Sequence, residues 1–162
     1  MVECFFCKGL FPKSDGPTHR YMSSTPGCWQ LYGEILAREY SDSTYWKNHR
    51  LTVDAYAVQH PGIESAQSIQ SVAVHLLSLY FVIEEGRLHD VATQLIKKAT
   101  KQKFHWLQPP VDLGEINATT VWASKNAEEH NKQVELWARS VWKAWEEHHG
   151  TIKEWAQMVD SS

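Results

Sequence analysis

The sequence predicts an all-α fold, an irregular helical bundle with an N-terminal zinc-bound knob. Three observations lead there. Apolar residues recur at helical spacing through five long segments and a short tail. No stretch alternates apolar and polar residues as a half-buried strand does. The first 28 residues carry Cys4, Cys7 and Cys28 in a stretch broken by Gly9, Pro12, Gly16 and Pro17, with little apolar content of its own. The expected organisation is one domain over 1–162, with a metal-binding segment at 1–28 packed on a bundle at 25–160.

The first helix opens at "TPGCWQLYGEILAREY", where Thr25 suits an N-cap and Pro26 the first helical position. The second is "STYWKNHRLTVDAYAVQHPG", stopped by Pro61 and Gly62. The third, "SAQSIQSVAVHLLSLYFVIEEG", is apolar on most sides and reads as the central helix. "LHDVATQLIKKATKQ" follows as an amphipathic helix, then a loop with Pro109, Pro110 and Gly114. The last long helix is "AEEHNKQVELWARSVWKAWEEHH". Asn126 and Glu129 suggest a capping box, Val134, Trp137, Val141 and Trp145 form its stripe, and Gly150 is its expected end. "TIKEWAQMV" forms the amphipathic tail.

The 162 residues are 43% hydrophobic and 22% charged, a globular balance. The net charge of -3 argues against nucleic acid and anionic membrane as partners. Lys97, Lys98, Lys101 and Lys103 read as a solvated face, though Phe104 and Trp106 beside them would suit a nucleic-acid or phosphate contact. The longest apolar stretch, "VAVHLLSLYFVIEEG", reads as too short and too interrupted to span a bilayer. The N-terminus lacks the basic start and apolar run of a secretory signal, so the expected location is the cytoplasm, where thiols stay reduced.

A lone Cys-x-x-Cys has three readings. Redox chemistry usually needs a thioredoxin-like βαβ setting, and none is visible. Free thiols can fill a core. A metal needs two further ligands, and His19 in "GPTHRY" and Cys28 in "TPGCW" supply them. Three thiolates and one imidazole suit a structural zinc ion. Cys28 falls in the first turn of a helix, where the dipole favours a thiolate. The expectation is one zinc on Cys4, Cys7, His19 and Cys28, with unliganded thiols as the alternative.

"CFFC", "THRYM", "PGCWQLYGEILAREYSD", "VDAYAVQHPG", "QSIQSVAVHLLSLY" and "WARSVWKAWEEHH" resemble an uncharacterised family of small bacterial cytoplasmic proteins. The block "DAYAVQHPG" is the most specific part. The resemblance implies a bacterial or phage-related origin and a recurring Cys/His set near the N-terminus. It implies no activity.

A second polar set lies within the bundle. His49, Val53, Tyr56 and His60 share one face of the second helix, and Asp54 points away from it. Glu64, Ser68, Ser71, His75 and Ser78 form a polar stripe on the third. In one reading these groups satisfy one another, with His60 capping its helix and His75 bonded to Asp54 or to a backbone carbonyl. In the other they line a pocket, with His49, Asp54, His60 and His75 as its ligands or acid/base groups, and His149 at the end of the last long helix is a further candidate catalytic residue. Two functions follow. One is a zinc-stabilised helical module that binds a protein or small molecule. The other is a small metal-dependent or histidine-based enzyme with a polar pocket between helices.

Overall fold

The computed structural model describes residues 1–162. Strands β1 (Val2–Glu3) and β2 (Leu10–Phe11) are followed by helices α1 (Pro26–Ser41), α2 (His49–Gln59), α3 (Ala66–Leu79), α4 (His89–Ala99), α5 (Ala118–Trp122), α6 (Ala127–Ala144) and α7 (His149–Ser161). The fold is mainly helical, as the periodicity predicts. The hairpin is the exception: β1 and β2 pair antiparallel, with Val2 opposite Phe11 and Glu3 opposite Leu10. Two residues per strand are too few to leave an alternation in the sequence.

Helix α1 begins where its cap predicts. The Thr25 hydroxyl accepts from the Cys28 amide at 3.2 Å, and Pro26 follows at the first helical position. The second helix starts later than expected. Residues 43–45 form a 3-10 turn instead, because Asp42 caps it through the Thr44 amide at 2.9 Å. The third ends where Gly86 takes φ of 64°, after its last turn widens into a π-helix over Tyr80–Glu84. The short α5 was not expected; Asn117 caps it by accepting from the Thr119 amide at 3.0 Å. At α6 the cap is Asn126, accepting from Glu129 at 2.8 Å, but Glu129 answers one residue early, at the Lys125 amide.

The break after α6 comes before the expected Gly150. It falls at Trp145 and a 3-10 turn over Glu146–His148, and Gly150 lies inside α7. Trp145 is fully buried there and donates its indole N–H to the Val58 carbonyl at 3.0 Å. Trp137 donates to the Gln59 side chain at 3.0 Å, and Gln59 in turn donates to the Leu113 and Ile116 carbonyls. These two fully buried indoles therefore keep their hydrogen bonds, and Gln59 ties the proline-containing loop to the core.

Residues 66–84 form a continuous helix of mean hydropathy 1.4, long and apolar enough to cross a membrane, contrary to the expectation above. In this fold 56% of that stretch is buried within the protein, against α2, α4 and α7. Helix α2 packs on both α3 and α6. Its two sides thus meet different partners, and α2 residues take part in the clusters around Cys28, Glu39 and Asp54 described below.

Candidate metal centre and the polar clusters around α2

Residues 4–9 form a tight knuckle. The Cys4 amide donates to the Gly9 carbonyl at 2.8 Å and the Lys8 amide to the Cys4 carbonyl at 2.9 Å, with Lys8 at φ of 61°. The Gly9 amide donates to the Cys7 sulfur at 3.4 Å. The first turn of α1 brings Cys28 to the same point, with its sulfur 3.9 Å from that of Cys7. The fourth member comes from the far end of α2: His60 Nε2 lies 3.4 Å from the Cys28 sulfur.

The ligand atoms of Cys4, Cys7, Cys28 and His60 all lie within 4.8 Å of one another, and all four residues are buried. Zinc–sulfur bonds of about 2.3 Å and zinc–nitrogen bonds of about 2.0–2.1 Å in a tetrahedron put ligand atoms about 3.4–3.8 Å apart. The Cys7–Cys28 and Cys28–His60 separations match that spacing. His60 Nδ1 donates to the Tyr56 carbonyl at 2.8 Å. This fixes the tautomer and aims the Nε2 lone pair at the sulfurs, as the outer partner of a metal-bound imidazole does. The Tyr56 hydroxyl lies 3.3 Å from the Cys28 sulfur, placed to donate to it.

The protons on this cluster are in conflict. Bonds from Cys28 and Cys7 push the Cys4 thiol well below its ordinary range, against the effect of burial. Cys28 is pushed far above its range by its bonds to Cys4 and Cys7 and by burial. A divalent cation would take the place of the protons that these close, buried sulfurs share.

His19, expected as the fourth ligand, lies outside this group. Its Nδ1 accepts from the Tyr21 and Met22 amides, both at 3.1 Å, and its ring packs edge-on against Tyr21 and Trp29. It shapes the turn that leads into α1. His60 takes the place because the chain returns antiparallel through α2. The sequence offers His60 as a helix cap or as a pocket residue, and it does occupy the C-cap position of α2. Its position directly before Pro61-Gly62, one turn after Tyr56, was the available signal.

Gly62 completes the seat. It has φ of 75°, and a Cβ there would stand 2.1 Å from the Tyr21 carbonyl oxygen. Any side chain would therefore push the N-terminal segment off the α2–α3 corner.

The other candidates divide into separate clusters. Glu39 is buried and accepts from His49 Nδ1 at 2.8 Å, His130 Nε2 at 2.8 Å and the Thr52 hydroxyl at 2.6 Å. Burial alone would raise its pKa, but those three bonds outweigh burial and hold it below the ordinary carboxylate value. The ring of His49 also stacks on Trp46 at 4.0 Å. Asp54 accepts from His75 Nδ1 at 2.8 Å, from Arg50 at 3.4 Å and from the Ser78 hydroxyl. His149 donates to the Trp142 carbonyl at 2.8 Å and stacks on that indole at 3.8 Å. One pocket holding His49, Asp54, His60, His75 and His149 together is therefore not what the fold builds.

A cleft of about 530 Å³ lies between β2, α1 and α5. Its ionisable lining residues are Lys13 and Glu34, both exposed, and it has no contact with any of these clusters.

A family of unknown function, DUF5946, matches residues 2–146, and the chain belongs to that family. No curated protein and no solved structure matches it.

Proposed function

We propose that the protein is a zinc-stabilised helical module of the cytoplasm. One zinc ion on Cys4, Cys7, Cys28 and His60 fastens the N-terminal segment to the bundle, which binds a protein or small-molecule partner. The observation that carries this is His60: a fully buried imidazole whose Nδ1 is committed to the Tyr56 carbonyl, with Nε2 among three buried sulfurs. Zinc suits three thiolates and an imidazole, and four protein ligands leave no open position for a substrate. The role is therefore structural. A reducing compartment keeps the three thiols available to the metal.

Elemental analysis of protein purified without added metal tests the reading. The expected result is one zinc per chain, lost on chelation together with the cooperative melt of the N-terminal segment. Folded protein that melts identically with and without chelator, and carries no metal, would refute it.

A further inference from the structure

The Asp54–His75 pair has a feature that the packing does not require. Asp54 is completely buried, while the His75 side chain is 23% exposed. The Arg50 guanidinium and the Ser78 hydroxyl both donate to Asp54, which holds the carboxylate in a fixed orientation. An ionised carboxylate only accepts, so His75 Nδ1 is the protonated nitrogen. The lone pair is then on Nε2. That nitrogen has no hydrogen-bond partner within the protein, and it is not among the buried polar atoms left unpaired. His75 lines a cleft of about 460 Å³ between α3, the end of α4 and the N-terminal segment.

The walls of that cleft define what would fit. Besides His75 they include Tyr21, Gln67, Gln70, Ser71 and Thr100. These are hydroxyls, amides and one phenol ring, and no Lys, Arg, Asp or Glu is among them. Neutral donors and acceptors around a basic nitrogen suit a neutral ligand rich in hydroxyl groups, with the Tyr21 ring as a stacking wall. Tyr21 stands there because its own carbonyl is pressed on Gly62.

We propose that this cleft binds small, uncharged, hydroxylated ring compounds, and that His75 Nε2 accepts a hydrogen bond from a bound hydroxyl while Nδ1 donates to Asp54. Asp54 is the positioning residue, and His75 is the residue that touches the ligand. The pair involves none of the thiols, and Tyr21 alone among the lining residues lies on the segment that the zinc reading fastens.

Acylation by diethyl pyrocarbonate, followed histidine by histidine with peptide mass spectrometry, reads the Nε2 lone pair without a known reaction. His105, which is exposed, is the internal reference. His75 is expected to label several-fold faster than His105. Millimolar inosine or methyl glucoside should slow His75 several-fold and leave His105 unchanged, whereas AMP and glucose 6-phosphate should protect less. Asp54→Asn is expected to abolish the rate advantage. Should that variant fail to fold, the double variant Gln67→Ala and Ser71→Ala, on the open wall, should keep fast labelling and lose the protection. Labelling of His75 no faster than of His105 would overturn the acceptor role of Nε2. Failure of both neutral probes, or equal protection by the phosphorylated ones, would overturn the ligand class.

Discussion

Cys28→Ser is expected to destabilise the protein by more than about 4 kcal/mol, a range reached by losing a metal site and rarely by losing one ordinary contact. Cys28 is the centre of the cluster: Cys7, Tyr56 and His60 all approach its sulfur, at 3.9, 3.3 and 3.4 Å. A serine hydroxyl is a poor zinc ligand and leaves three partners facing a shorter, harder atom. The N-terminal segment has only Phe11 and the cysteines among its fully buried side chains, so little apolar burial remains to hold it. Thermal melts of wild type and variant, each with and without chelator, make the comparison. Chelated wild type should approach the variant, and the variant should not respond to chelator. Four equal melting temperatures would be incompatible with a metal-held segment.

Glu39→Ala should cost about 3–5 kcal/mol, the scale for removing one partner from a buried charged network. Three donors converge on that carboxylate from α2 and α6. Deleting it leaves His130 Nε2, which is fully buried, without its acceptor, and leaves the Thr52 hydroxyl only the longer bond to the Asn48 carbonyl. Glu39→Gln keeps one oxygen as acceptor and should cost less. The pKa direction sets a pH dependence. The folded-state value lies below the unfolded one, so the contribution is fully present above the ordinary carboxylate pKa. It is lost as pH falls through the folded value. Wild type should therefore lose stability on acidification more steeply than Glu39→Ala does. Parallel pH profiles for the two proteins would contradict that assignment.

What the sequence could and could not reveal follows from how local each signal is. Thr25-Pro26 and Asn126 announce their helices because a cap bonds to an amide within three residues. The three cysteines were legible for a similar reason, since two share a knuckle and the third sits at a helix start. His60 was not, because it lies 32 residues beyond Cys28 and reaches the sulfurs only through the antiparallel return of α2. His19 looked suitable by proximity, yet its acceptor nitrogen is consumed by two neighbouring amides. The pairing of Asp54 with His75 was foreseen as one option, since α2 and α3 are joined by a tight Pro-Gly corner. Glu39 was missed altogether. Nothing in "LAREYSD" distinguishes a carboxylate that two distant histidines will meet.

X-ray absorption at the zinc edge tests the central claim most directly. The account predicts three sulfurs at about 2.3 Å and one nitrogen at about 2.0–2.1 Å. It also predicts that His60→Ala removes the nitrogen shell while His19→Ala leaves the spectrum unchanged. A nitrogen shell that survives His60→Ala and disappears in His19→Ala would contradict it, as would protein that folds fully with no zinc to measure.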